Sequence, residues 1–357
     1  MKTKLSLIFA LLIFLFSCKK DDNDFNVDYS VEKGVFICNQ GNFMSGNASL
    51  SFSNTETNKM ENQVFFNANN FPLGDVLQSI YIYKNLAYAV INNSGKIVVL
   101  DVKNFKHKGT ISGLSSPRFI SVFSDSKAFI SDINSNSIVV FNPISLEKTG
   151  NIDIGSSSES MLILNNFLYV SSWSYNNKIF KIDISQNKVV DSLAVGKQPN
   201  SMVFDKNNKL WVLSDGGYQG SPYGEEKASL SKIDVENMEI ELKIEFLDIN
   251  SSPSFLSCNG AKDSLYFING SWGSNAQESG IYKMSINDNN TPESAFIPEN
   301  NKMFYALGVD PQQNIIYVSD AKDFSQKGWV YRYKSSGEII DSFKVDIAPG
   351  YFAFKND

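Results

Sequence analysis

One short pattern, an aromatic residue held between two apolar ones, returns seven times and constrains this chain more than any other feature. The copies are Val35-Phe36-Ile37, Ala87-Tyr88-Ala89, Ala128-Phe129-Ile130, Leu168-Tyr169-Val170, Leu210-Trp211-Val212, Leu265-Tyr266-Phe267 and Ile316-Tyr317-Val318. Their aromatic positions are 52, 41, 40, 42, 55 and 51 residues apart. A base of about 40 residues with insertions is the period of a four-stranded propeller blade. The stretch from Ser116 to Gly155 shows the grammar of one repeat. It predicts strands at Arg118 to Phe123, Ala128 to Asp132, Ile138 to Phe141 and Lys148 to Ile154, joined by turns rich in Ser, Asp, Asn and Pro. Third strands such as Ile97-Val98-Val99-Leu100 are unbroken apolar runs, which suits sheets packed on both faces.

The ends complete the count. Gly34 to Asn39 reads as a second strand without a first, and Ile347 to Phe354 as a first strand without a second. Joined, they make one blade. The expected fold is therefore all-β, a seven-bladed β-propeller of four-stranded blades over residues 34–357, its ring closed by N- and C-terminal strands sharing a blade. The strand aromatics Tyr169 and Trp211 are expected to pack between blades, and Trp329, placed with Phe324 in the loop after Asp320, either does the same or joins the loop aromatics.

Ahead of the repeats, Lys2 and Lys4 precede an apolar run from Leu5 to Phe16, and Ser17 stands before Cys18. The run is too short to span a bilayer and has the form of an export signal. It resembles a bacterial lipoprotein signal, which implies that residues 1–17 are removed and that Cys18 is lipidated. Residues 18–33 then form a solvated tether. Cys18-Lys19-Lys20-Asp21-Asp22 is similar to the signal that Bacteroidetes-type bacteria use to place lipoproteins on the outer cell surface, so the expected location is the outer membrane, lipid-anchored and facing outward.

The repeats carry a second resemblance. Tyr-Val-Ser at Tyr169 to Ser171 and Tyr317 to Ser319, third strands closing on Asp as in Ile179 to Asp183, and the openings Ser116-Pro117-Arg118 and Gln198-Pro199-Asn200 resemble the YVTN-type, YncE-like propeller repeat. The Gly-His and Trp-Asp pairs of WD repeats and the paired glycines of kelch blades are missing. With the lipoprotein start, Gly34 to Phe43 resembles the opening of Bacteroidetes surface propellers, whose members include cobalamin-capturing and siderophore-capturing lipoproteins. The resemblance implies a non-catalytic surface protein that captures a bulky nutrient of the corrinoid or siderophore class for a TonB-dependent outer-membrane transporter. An exported propeller hydrolase or lactonase, and an adhesion or protein-interaction module, are the alternatives.

Composition narrows the chemistry. A net charge of -6 argues against nucleic acid as the main partner. One histidine and three cysteines leave little for zinc, haem or iron-sulfur ligation, and no cofactor is expected. The first-strand openings Arg118, Glu159, Asn200, Ser254, Tyr305 and Tyr351 include a single carboxylate, which weighs against a metal hydrolase.

In a four-stranded blade the loops from strand two to three and from strand four to the next strand one share a face. The former begin near Asn39, Asn92, Asp132, Ser172, Ser214, Asn269 and Asp320, and several add aromatics. The candidate ligand site is therefore Asn39, Asn42, Phe43, Asn92, Arg118, Trp173, Tyr175, Asn200, Tyr218, Tyr223, Trp272, Tyr305 and Phe324. Rings there offer contact area at low entropy cost and amides offer directional bonds. Arg118, with Arg332 one of two arginines, could grip a carboxylate or phosphate or form a surface ion pair. Cys38 and Cys258, placed on the first and fifth blades, are expected as buried thiols rather than a disulfide. His107 is placed in a turn from strand three to four on the opposite face, without a role.

Overall fold

The computed structural model describes residues 33–271 and 278–355. Cys18, the tether and Trp272 lie outside the described residues. The chain folds into seven four-stranded antiparallel sheets, the blades of a β-propeller. The strands of the third blade, Pro117–Ser124, Lys127–Asp132, Ser137–Phe141 and Lys148–Asp153, fall within a residue or so of the predicted ones.

The first blade is assembled from both ends. Pro349–Lys355 is its inner strand and pairs with Gly34–Asn39 in the register Val35 to Phe354 and Ile37 to Phe352. Ser49–Asn54 and the two-residue Met60–Glu61 follow outward. This pairing closes the ring and removes an open sheet edge. At the seam the Tyr317 ring of the seventh blade meets Phe352 and Phe354 at 6.0 and 5.4 Å between centroids. Gly308 sits close against this seam, where a Cβ would stand 3.1 Å from both phenylalanine side chains.

All seven repeat aromatics are buried between blades, including Tyr169 and Trp211 as expected. Their polar atoms are satisfied where geometry allows. The Trp211 indole donates to Asp205 at 3.0 Å and the Tyr88 hydroxyl to the Pro143 carbonyl at 2.7 Å. Truncating such a side chain typically costs about 3–5 kcal/mol, so the repeat pattern records the packing that holds the ring together.

Four placements differ from expectation. Cys258 ends Ser251–Cys258, the inner strand of the sixth blade rather than the fifth, because that strand pairs with the one carrying Tyr266, the sixth copy of the repeat. Both thiols are free, Cys38 fully buried and Cys258 partly, and burial pushes both pKa values up. His107 opens a strand, His107–Ser112, instead of lying in a turn. Trp329 lies on the third strand of the seventh blade, Lys327–Tyr333, only half-buried. A short helix, Val64–Asn69, packs Val64 and Phe65 on the first blade where a longer outer strand would otherwise run.

Candidate functional site

The inner strands surround a central cavity of about 1600 Å3. Its wall follows Arg118 to Val122, Glu159 to Ile163, Asn200 to Val203, Ser252 to Cys258, and residues of the last two inner strands. The mouth is polar. Gln78, Arg118, Glu159 and Asn200 occupy equivalent positions of successive blades, about one repeat apart, so the ring brings them side by side.

Arg118 grips Glu159 with both arms of its fork, Nε to Oε2 at 2.8 Å and Nη2 to Oε1 at 2.7 Å. Its Nη1 donates to Gln78 Oε1 at 2.7 Å. Burial opposes the charge, but the Glu159 carboxylate holds the guanidinium pKa above its ordinary value. The pair is thus neither free for a ligand nor a surface bridge. It is a partly desolvated clamp across the second, third and fourth blades, with side chains 19% and 6% exposed.

Two aromatic flanks frame this collar. On one, the Tyr305 hydroxyl donates to Gln40 Oε1 at 2.7 Å, and its ring meets Phe324 edge-on at 4.8 Å. Asn42 Nδ2 donates to the Phe324 carbonyl at 2.7 Å, and Phe43 beside it is 68% exposed. On the other flank, the Trp173 indole donates to Asp215 Oδ2 at 2.8 Å. Burial pushes the Asp215 pKa up, against the bonds it accepts from Trp173, Gly217 and Asn200. Gly216 is needed in this turn, with φ of +84° and no room for a Cβ beside the Glu226 carbonyl.

Of the residues expected at the site, Asn42, Phe43, Asn92, Arg118, Trp173, Asn200, Tyr305 and Phe324 line the cavity. Asn92 is held in place by Ser116 Oγ at 2.9 Å and the Pro117 carbonyl at 3.0 Å. Asn39 does not reach it: the side chain is fully buried and donates to Ser51 Oγ at 2.8 Å. Tyr175 and Tyr218 are exposed outside the wall and hydrogen-bonded to each other. Tyr223 is also outside, its ring 5.2 Å from Lys197 Nζ. Sequence reasoning did not select Gln78, Glu159 or Asp215 for the site. Repeat spacing was the available signal, since Glu159 follows Arg118 by 41 positions and Asp215 follows Trp173 by 42. Among the described residues, no three His, Cys, Asp or Glu side chains gather as a metal-ligand set.

Fold and cavity together define a seven-bladed propeller with a polar-mouthed central channel. The chain belongs to the family described as a domain of unknown function, DUF5074, whose profile matches residues 33–354. Among solved structures it is similar to a quinonprotein alcohol dehydrogenase-like protein from Bacteroides thetaiotaomicron VPI-5482, with a TM-score of 0.69 and 13% identity over 93% of this chain and 80% of that one. It is also similar to a candidate 6-phosphogluconolactonase from Bacteroides fragilis NCTC 9343, with a TM-score of 0.64 and 12% identity over 90% and 98% of the two chains. Kuenenia stuttgartiensis hydrazine synthase gives 0.58 and 12% over 76% of this chain and 87% of that one. At such identities the likeness concerns the fold alone. No curated protein matches the sequence.

Proposed function

We propose that this chain is a non-catalytic capture protein, anchored through Cys18 to the outer membrane, that takes up a bulky small-molecule nutrient of the corrinoid or siderophore class at the channel mouth and passes it to a TonB-dependent transporter. The observation that carries this reading is the cavity: about 1600 Å3, against roughly 300–1,000 Å3 for ordinary small-molecule sites. Its mouth combines aromatic edges with amide and hydroxyl groups, the mixture that holds a large, partly apolar molecule.

The wall's charges favour a subset of such ligands. Arg118 is committed to Glu159, and besides these two the lining carries Lys302 against Asp215 and Glu299. The carboxylates outnumber the cations, so uncharged or positively charged ligands meet less repulsion than anionic chelates do.

Calorimetry of the purified protein against cyanocobalamin, ferric siderophores and haem tests the reading. A panel member should bind, and Trp173→Ala should weaken it by about 2 kcal/mol, the size of a binding hot spot. Binding that Trp173→Ala leaves intact would refute the aromatic mouth as the site. A panel that fails entirely, together with no small molecule on the natively expressed protein by mass spectrometry, would refute capture.

A further inference from the structure

Trp173 opens the loop after the second strand of the fourth blade, Phe167–Ser172, and lines the channel. An aromatic side chain on a loop ordinarily loses rotamer freedom when a ligand packs on it, and that loss weakens binding. Here the freedom is already gone. The indole is bonded to Asp215, which occupies the equivalent position in the fifth blade, after Leu210–Ser214.

Asp215 is itself held in its turn, where Gly217 N donates to Oδ1 at 2.9 Å. Asn200 lies beside the same carboxylate and helps to hold its pKa down, and its Nδ2 donates to the Pro253 carbonyl of the sixth blade at 2.8 Å. Trp173, Asp215, Asn200 and Pro253 thus stand side by side across three blades, and all four residues line the cavity.

A turn-forming role alone does not account for this. Asp183, Asp234 and Asp323 also accept backbone N–H groups two or three residues on, in turns of their own blades. Asp234 also sends its second oxygen out of the turn, but to Lys209 of its own blade; Asp215 differs because its second oxygen crosses to an indole of the neighbouring blade. A partly buried carboxylate without a cation bonded to it is a costly way to close a turn, whereas a charge-assisted acceptor orients an indole strongly.

We propose that Asp215 is a positioning residue of the ligand site: it locks the Trp173 ring into the channel wall as a preformed aromatic platform. The proposal rests on the capture reading for its purpose, but its structural half can be tested without any ligand.

Protein labelled with 15N-tryptophan carries four indole groups, and Trp173→Phe identifies the signal of Trp173. In wild type that N–H should be shifted downfield and slow to exchange with water. Asp215→Ala should move it upfield and speed its exchange at least tenfold, while Asp215→Asn, which keeps one acceptor oxygen for the two donors Trp173 and Gly217, should give an intermediate shift and exchange rate. An unchanged signal and exchange rate in Asp215→Ala would overturn the proposal.

The second arm uses cyanocobalamin, ferric siderophores and haem as probes. Asp215→Ala should bind any accepted probe about tenfold more weakly, mainly through faster dissociation, with Asp215→Asn between it and wild type. Equal affinity in Asp215→Ala despite a freed indole would overturn the positioning role. If wild type binds none of the probes, that result counts against capture, and the indole signal still decides whether Asp215 fixes the ring.

Discussion

The chain's two arginines make the same bidentate fork in two different settings. Arg118 holds Glu159 between blades at the channel mouth, with Gln78 as a third partner. Arg332 holds Asp341 within the seventh blade, where the two face each other on the strands Lys327–Tyr333 and Ile339–Ile347. The Asp341 hydrogen bonds push the Arg332 pKa up, yet Asp341 is 45% exposed, against 6% for Glu159. Identical chemistry thus serves two ends. One pair follows from the register of neighbouring strands, and water reaches its carboxylate end. The other exists only when the third and fourth blades have packed together, and its carboxylate has little water to fall back on.

The largest expected effect comes from breaking the inner pair. Arg118→Ala should destabilise the protein by about 3–5 kcal/mol in urea unfolding, because Glu159 would be left buried and uncompensated. Replacing both residues, as Arg118→Met with Glu159→Leu, should cost less than the single change. A single substitution costing under about 1 kcal/mol would mean that the mouth is wetter than the exposures imply, and the contrast with Arg332 would disappear.

Breaking the outer pair should do less. Arg332 is itself buried, yet Arg332→Ala should cost less than Arg118→Ala, because Asp341 stays in water when its partner is removed whereas Glu159 does not. A loss as large as that of Arg118→Ala would show that the difference in burial does not govern the two pairs.

The smallest effect sharpens the comparison with a carboxylate that has no cation beside it. Asp215→Asn should move the thermal midpoint by no more than about 2 °C at neutral pH, since the loss of one of two acceptor oxygens is offset by removal of a partly buried charge. The pH dependence has a definite sign. Burial holds the folded-state pKa of Asp215 above its unfolded value, so the folded state binds the proton more tightly. As pH falls from neutral through that raised pKa, wild type should gain stability relative to Asp215→Asn, with the gain complete below the unfolded value. Melting curves of the two proteins across this range give the difference directly, and a difference that runs the other way would show that the hydrogen bonds to Asp215 outweigh its burial.

Much of the architecture was legible because a propeller repeats its packing problem. An aromatic in the middle of each second strand has to fill the space between two blades, so it recurs at the blade period, and Phe36 through Tyr317 can be read as core without a structure. The closing strand could be read for the same reason, as half a repeat at either end. The site was legible in part. Loop aromatics such as Phe43 and Trp173 stood out, whereas Asn39 looked like its loop neighbours although it is the last residue of a buried strand, its amide bonded to Ser51. The helix Val64–Asn69 gave no warning, since Gln63 before it is left-handed and makes no side-chain cap.

By itself the sequence determined the blade number, the strand order and the face that carries the aromatic loops, because those depend on periodicity and on turn chemistry within about 40 residues. The three-dimensional packing was needed to show that Arg118 is already paired, that Tyr175 and Tyr218 meet outside the cavity, and that Trp173 is held by Asp215. Each of these contacts joins separate blades or loops of neighbouring blades. Whether two such groups meet depends on how one blade packs on the next around the axis, a distance that no pattern within a single repeat encodes.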